Sequence, residues 1–292
     1  MTGASGLLGS ALIPALEADG HEVLRLVRHA PTSAAEIEWN PAAGTIDPDA
    51  LAGVDAAVHL SGATIGRRWT SSRKAEILAS RVDSTRLLAE TLARVEPRPA
   101  VLVSAGGIGI YGDRGDEILT EESELGGGFL AEVGQAWEEA AAPARTGGIR
   151  VVSCRQGVVL TRRGGILGRL LTPFKLGVGG RVGSGRQWWS WVSLDDLVGT
   201  YRLALTSDLE GPVNLVSPNP VTNKQFTQAL GKTVRRPTLV PFPAAAARTV
   251  FGEMGDEVLL GSQRALPARL LDAGFVFRYP DLSSALGRAL QE

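Results

Sequence analysis

An α/β protein, a doubly wound parallel sheet followed by a smaller C-terminal lobe, is what this chain of 292 residues predicts. Three observations carry that expectation. Glycines at positions 3, 6 and 9 precede an amphipathic stretch, strand and helix patterns alternate to about residue 154, and the composition changes after about residue 160. The bulk numbers bound the rest. With 44% hydrophobic residues there is material for a large core, and a net charge of −1 gives no general attraction to nucleic acid or to an anionic membrane. Cys154 stands alone, so there is no disulfide pair, and His21, His29 and His59 lack metal-ligand spacing; no metal is expected. No apolar run approaches the roughly 20 residues of a membrane span, and no signal peptide is visible. A cytoplasmic protein is expected.

Residues 2–9 read Thr-Gly-Ala-Ser-Gly-Leu-Leu-Gly. In such a turn Gly3 permits the bend, Gly6 lets backbone N–H groups approach a pyrophosphate, and Gly9 lets the next helix pack on its strand. The helix N-terminus then favours the anion. Residues 10–19 follow as a helix with Leu12, Ile13 and Leu16 near one face, Gly20 stops it, and residues 21–27 form a strand. A unit of this kind begins with a buried strand of roughly five residues. Only Met1 and Thr2 precede the turn, so Met1 is expected at the end of a first strand whose upstream residues are absent from this chain.

Residues 54–60 read as the next strand, ending at Ser61-Gly62-Ala63. Residues 71–95 are helical in pattern, with Ile77, Leu78, Val82, Leu88 and Leu92 as the apolar set. A strand over 99–103 ends at Ser104-Ala105-Gly106-Gly107, and a helix over 127–144 leads to a strand over 149–154. The flanks of Cys154 make it a buried, inert thiol. The ligand crevice should lie beyond the carboxyl ends of these strands, after Val27, Leu60, Val103 and Cys154. Further on, glycines crowd 164–185, Trp188, Trp189 and Trp191 cluster, and prolines recur from Pro212 to Pro243. The expected domains are 1–160, the nucleotide-binding sheet, and 161–292, an irregular lobe over the crevice with some segments returning to the sheet.

Several short motifs occur in one order: Ser80-Arg81-Val82 with Thr85-Arg86, Ile110-Tyr111-Gly112, Gly128-Phe129-Leu130 with Trp137-Glu138, and the run 179–187 with Ser190-Trp191-Val192. The last third adds residues 211–215, 218–223, Gly252-Glu253-Met254 and Ala273-Gly274-Phe275. Together they resemble the extended short-chain dehydrogenase/reductase superfamily. The narrower resemblance is to its atypical NADP-binding epimerase-family subgroup, which is cell-division-inhibitor-like or nucleoside-diphosphate-sugar epimerase-like and carries a C-terminal domain of unknown function. It covers almost the whole chain and implies a Rossmann-type fold. Arg28 directly follows the second strand, where the adenosine ribose should lie. With no Asp or Glu between Leu24 and Ala35, an arginine there suits the 2′-phosphate of NADP(H); a solvated loop arginine is the plainer alternative. Around the turn, Gly3, Ser5, Gly6, Leu7 and Leu8 are expected to hold the cofactor. By similarity Leu60, Ser61 and Gly62 line its adenine–ribose side, Glu76 and Arg81 on the long helix fall near it, and Ser104 and Val133 complete the set.

Chemistry in the superfamily usually depends on a Tyr followed four residues later by Lys, the first as general acid/base and the second lowering its pKa while holding the nicotinamide ribose, a pattern from which the resembling subgroup departs. Neither exists here as a pair. The tyrosines Tyr111, Tyr201 and Tyr279 are followed at that spacing by Gly115, Leu205 and Ser283, and the positions matching the pair are Val133 and Trp137. A supporting serine could come from Ser104 only if its loop shifts. Two readings stay open. In one the protein is an NADP-dependent oxidoreductase or epimerase using Tyr111, at the crevice mouth, and Glu138, with Asp113 behind them. The alternatives for these are a turn-packing tyrosine and a capping carboxylate. In the other it binds NADP(H) without turnover, as a sensor or scaffold. For a substrate, Lys175, Arg181, Arg186, Gln187 and Trp188, with Phe174 and Trp189, combine cations with flat faces; superfamily relatives bind nucleoside-diphosphate sugars with this part of the chain. One of Trp188 or Trp189 is expected at the pocket and Trp191 buried, while Asp195-Asp196 read as a helix cap. The expected partner is a small molecule, and the expected state a monomer or homodimer.

Overall fold

The computed structural model describes residues 1–291. Helix α1 (Gly9–Ala18) leads to strands β1 (Arg25–Val27), β2 (Glu36–Asn40), β3 (Thr45–Ile46) and β4 (Ala56–His59), then to the long helix α2 (Ser71–Leu92). There follow β5 (Val101–Gly107), β6 (Ile118–Leu119), α3 (Phe129–Glu139), α4 (Ala142–Thr146), β7 (Arg150–Gln156), β8 (Val158–Leu160) and α5 (Gly165–Lys175). Next come β9 (Trp188–Trp189), β10 (Trp191–Ser193), α6 (Leu194–Thr206), β11 (Gly211–Leu215), β12 (Val221–Thr222) and α7 (Asn223–Val234). The chain closes with α8 (Ala244–Phe251), β13 (Arg264–Ala265), α9 (Ala268–Asp272) and α10 (Leu282–Gln291).

Strands β4, β5, β7 and β11 run parallel in the order β11-β7-β5-β4, while β1 pairs parallel with β2, and β3 turns back antiparallel on β2. Thr2 joins the two halves, bridging Leu26 of β1 on one side and His59 of β4 on the other, both in the parallel sense. The sheet is therefore continuous through the residue just ahead of the glycine turn. Alternation along each strand sorts its side chains. Val101 and Val103 of β5, with Val152 and Cys154 of β7, face one core with Leu12 and Leu16 of α1 and Leu197 and Tyr201 of α6. Leu102 and Val151 face the other core, with Leu88 and Leu92 of α2 and Ala144 of α4. Helices on both faces complete the doubly wound α/β fold.

Four expectations are revised. The strand expected to end at Val103 continues to Gly107, and β2 is an additional strand whose Ile37 and Trp39 are buried in alternation. The helix expected over 127–144 is two helices, broken at Ala140 and Ala141, with Pro143 in the first turn of α4 where a missing N–H is harmless. The lobe is also more regular than its glycines suggest. Leu167, Leu171 and Phe174 of α5 pack with Phe226 and Leu230 of α7, Leu282 and Leu286 of α10, and the buried Trp189 and Trp191. No helix among the described residues is long and apolar enough to cross a membrane.

A buried polar chain ties the sheet to the turn. Thr2 Oγ1 accepts from the N–H groups of Leu60 (3.0 Å) and Ser61 (3.3 Å), which leaves its own proton for His59 Nδ1 at 2.8 Å. The Nε2–H of His59 then donates to Ser84 Oγ at 3.1 Å, and that hydroxyl donates to the Ser80 carbonyl at 2.7 Å. Trp39 meets the imidazole edge-on. Burial, followed by nearby positive charge, pushes His59 down to about 3. Neutral in the fold and protonated in the unfolded chain below about pH 6.5, it makes stability fall as the pH drops. Between about pH 6.5 and about pH 5, the urea-derived stability measured against a His59→Gln variant should lose about 1.4 kcal/mol per pH unit. A difference that stays flat across that window would mean the imidazole is not held neutral.

Candidate functional site

The glycine turn is as tight as its sequence requires. Gly3 has φ +65°, and a Cβ on it would lie 2.8 Å from the Leu60 backbone; one on Gly9 would lie 2.4 Å from the Gly3 carbonyl oxygen. Gly6 N–H closes the bend on the Gly3 carbonyl at 3.0 Å. Among the described residues the N–H groups of Ser5, Leu7 and Leu8 take no acceptor, and Ser5 and Gly6 are exposed at the tip. Free donors at the mouth of α1 form a ready anion cradle.

The strand ends gather around this turn. Arg28 follows β1, exposed, with no ion-pair partner among the described residues. Beyond β4, Leu60 and Ser61 are held by Thr2, and Gly62 lies under the Arg81 guanidinium, where a Cβ would come within 3.1 Å. Arg81 donates to the carbonyls of Ala63 (3.0 Å) and Ile77 (3.1 Å) and lies 4.8 Å from the Trp137 ring. Two further arginines hold the same loop: Arg73 bonds the Thr64 carbonyl, and Arg169 of α5 bonds the Gly66 carbonyl. Glu76 is exposed and paired with Arg73, turned away from Arg81 around the helix. Ser104 is buried within β5, level with His59, because the strand runs three residues past it. Val133 is packed with Trp69, Ile77, Phe129 and Met254 in an apolar cluster.

Tyr111 is not at the crevice mouth. It is fully buried; its hydroxyl donates to Asn214 Oδ1 (2.7 Å) and accepts from Arg155 Nη1 (2.9 Å). Burial pushes the phenol upward, against the opposing pull of Arg155. Glu138 meets the same arginine through both oxygens, at 2.8 and 2.9 Å. Burial alone would lower the Arg155 guanidinium, but the Glu138 carboxylate more than offsets it and the net shift is upward. Asp113 accepts from the N–H groups of Gly115 and Ser262 and fixes a turn. Arg155 escaped the sequence reading, although an arginine one residue past Cys154 in a buried strand demands a carboxylate partner. Cys154 is buried as expected, and burial drives its thiol upward.

The substrate set is scattered. Lys175 and Arg186 are exposed, and Arg181 folds back on the Gly183 and Ser184 carbonyls. Gln187 is buried, its amide bonded to the Val182 and Leu259 carbonyls, so it holds the lobe together and has no donor left for a ligand. Trp188 gives its indole N–H to Asp116 (2.7 Å), with Arg264 over its ring. Trp191 is buried as expected, and Trp189 is buried against Phe226. None of the five is hydrogen-bonded or ion-paired to the glycine turn or to the loop over residues 60–66.

Sequence reasoning also missed the clamp from the C-terminal lobe. Glu257 accepts from the N–H groups of Phe129 and Leu130, both at 2.8 Å, capping α3, and Lys74 of α2 pairs with Glu253 at 2.8 Å. A groove of about 610 Å³ on the outer flank, between α1 and α6, is not the crevice. Asp195 pairs there with Arg288, Arg202 pairs with Asp19, and Asp196 takes the Ser193 hydroxyl and the N–H groups of Arg278 and Tyr279. Among the described residues no group of His, Cys, Asp or Glu could hold a metal ion.

The matches to known proteins cover the same architecture. The model of the NAD dependent epimerase/dehydratase family matches residues 1–216, and a domain of unknown function, DUF1731, matches residues 242–289. Epimerase family protein Mb2239 of Mycobacterium bovis is 46% identical over 291 residues, covering 99% of this chain and 96% of its own. Epimerase family protein SDR39U1 of Homo sapiens is 36% identical over 289 residues, covering 97% and 96%. The crystal structure of human SDR39U1 with NADPH matches with a TM-score of 0.89 at 33% identity, over 100% of this chain and 98% of that one. The nucleoside-diphosphate sugar epimerase from Corynebacterium glutamicum gives 0.83 at 40% identity, over 99% of this chain and 57% of that one. With its glycine turn at the head of a parallel sheet and a DUF1731 lobe clamped onto it, the chain belongs to the NAD dependent epimerase/dehydratase family.

Proposed function

We propose that the crevice binds NADP(H), with the pyrophosphate over residues 3–9, the adenosine 2′-phosphate at Arg28, residues 60–62 along the adenine–ribose side and the nicotinamide end toward α3. The turn carries this reading. Gly3 and Gly9 sit where a Cβ would strike backbone, and among the described residues the N–H groups of Ser5, Leu7 and Leu8 are left without acceptors. Arg28, exposed and free of a carboxylate neighbour in sequence, suits a phosphate better than a ribose hydroxyl. The human relative, whose solved structure contains NADPH, supports the same choice.

Bound there, the cofactor supplies a hydride donor or acceptor. The chain supplies orientation: the cradle fixes the phosphates, while Arg73, Arg81 and Arg169 hold the loop over residues 63–66 by its carbonyls. The reaction is an oxidation, reduction or epimerisation of a small molecule, nucleotide-sugar-like in class, with exposed Lys175, Arg181 and Arg186 as the cations left to meet it. One observation favours a second reading, binding without turnover as a sensor or scaffold: Tyr111 and Glu138 are both engaged by Arg155, and no Tyr-xxx-Lys pair replaces them. Both readings take a cytoplasmic monomer or homodimer.

Arg28→Glu should weaken NADPH binding by roughly 10- to 100-fold, the worth of a charge-assisted phosphate contact, and raise the relative affinity for NADH. Calorimetric titration of both cofactors checks this, and equal affinities in the parent protein would remove the role of Arg28. Tyr111→Phe leaves Asn214 Oδ1 and an Arg155 N–H without a partner, so unfolding in urea should show a loss of roughly 1–3 kcal/mol. NADPH affinity should stay unchanged in that variant; unaltered stability with lost turnover would return Tyr111 to the chemistry.

A further inference from the structure

The net charge of −1 is an average over unlike parts of the chain. No Asp or Glu occurs between residues 140 and 194 or between 211 and 252, although both stretches carry several Arg and Lys. Where α5 and α7 end, the two stretches meet in a tip that is both basic and apolar. We infer that this tip, residues 176–178 and 235–240, docks the protein on an anionic bilayer surface. Leu176, Val178, Leu239 and Val240 enter the headgroup layer, while Lys232, Arg235 and Arg236 meet the lipid phosphates. The inference is independent of the NADP(H) reading.

Local sequence forces the apolar residues outward. Gly177 turns the chain at φ +76°, and Gly179 and Gly180 have no room for a Cβ. One would lie 2.4 Å from the Phe174 ring and the other 1.8 Å from the Val240 carbonyl oxygen. On the other segment α7 gives way at Arg235, in the left-handed region at φ +56°, and Pro237 and Pro241 keep the chain out of a helix or a sheet interior. Hydrogen bonds tie the two segments together. Arg236 donates through Nε to the Lys175 carbonyl at 2.9 Å, and Phe242 N–H donates to the Arg181 carbonyl at 2.8 Å. With backbone against backbone, the aliphatic side chains are left uncovered: Leu239 is 85% exposed, Leu176 73%, Val178 56% and Val240 52%. Single exposed aliphatics are ordinary, but four on two bonded segments form a patch that marks an interaction site.

Charge selects the occupant. Lys232, Arg235 and Arg236 line one hollow of about 550 Å³ beside the patch. Among the described residues none of the three has a carboxylate within 4.0 Å, whereas Arg248 of α8 pairs with Asp256. A second copy of the chain would bring the same cations against these and be repelled. A nucleic acid would match the charge but meet aliphatic side chains where its bases need flat rings. An anionic bilayer matches both features. Clustered Lys and Arg are drawn to its surface potential, and the aliphatic side chains leave water for the acyl boundary. Such docking is peripheral and needs no spanning helix. Helix α5 runs from the tip at Lys175 back to Gly165, and Gly164 lies beside Leu7 of the glycine turn. Docking therefore holds the crevice about one helix length, roughly 16 Å, from the tip.

The test is co-sedimentation of the full chain with vesicles of phosphatidylcholine alone and of phosphatidylcholine mixed with phosphatidylglycerol in equal parts. The mixed vesicles should carry the protein down at low salt and less of it at high salt, and phosphatidylcholine alone should not. Lys232→Gln with Arg235→Asn should weaken binding about tenfold or more, Asn being tolerant of the left-handed backbone. Leu176→Ser with Leu239→Ser should weaken it by a similar factor without lowering the urea midpoint, because neither residue is in the core. Cys154 is the only native thiol and is buried, so a fluorophore attached through Leu239→Cys reports that position alone. Its emission should shift to the blue on mixed vesicles. No sedimentation with mixed vesicles at low salt overturns the inference and leaves the patch to a soluble acidic partner. Undiminished binding of the folded double-serine variant, with no shift of the fluorophore, overturns it as well, because the contact is then surface charge without insertion.

Discussion

Thr2 is the point at which the sheet and the ligand crevice become one structure. Its backbone completes the hydrogen-bond ladder between β1 and β4, and its hydroxyl gathers the N–H groups of Leu60 and Ser61. The same hydroxyl leans on His59, which is anchored through Ser84 to α2. Gly3 can then press against the Leu60 backbone at a distance no side chain would allow. A change in the register of Thr2 would move the turn, the loop after β4 and the helix behind it together.

Charge is handled differently on the two sides of α3. Toward β7, Glu138, Arg155, Tyr111 and Asn214 form a closed set in which every strong donor and acceptor has a partner. Such a set fixes geometry. Toward α2, Arg81 and Trp137 retain donors without acceptors. One short helix thus separates a satisfied network that braces the sheet from an unsatisfied one that faces the crevice side.

The parts legible in sequence were those fixed by local rules. The glycine spacing at 3, 6 and 9 announced a tight turn, and apolar periodicity announced α1, α2 and the central strands. Boundaries moved where tertiary pairing decided them: β5 continues to Gly107 because β7 pairs with it that far. β2 was overlooked because Glu36 and Glu38 alternate with Ile37 and Trp39, a half-buried strand pattern too short to stand out. Glycines masked α5, whose Leu167, Leu171 and Phe174 spacing was nonetheless present. The long-range polar contacts were beyond reach. Nothing local links Glu257 with Phe129, or Tyr111 with Asn214, residues more than 100 positions apart. Counting tyrosines and lysines excluded the usual acid/base pair, but it could not tell that Tyr111 was already occupied.

The cap on α3 has a consequence for motion. Its anion belongs to the C-terminal lobe and its donors belong to the sheet domain, so the helix is complete only while the two are in contact. Parting them strips the first turn of its carboxylate, at roughly 1–2 kcal/mol, and breaks the Lys74–Glu253 pair as well. Lobe closure and helix order are therefore thermodynamically linked. A molecule that wedges the lobe open works against that free energy, whereas one that fits beneath the closed lobe finds α3 already rigid and loses little entropy in fixing it.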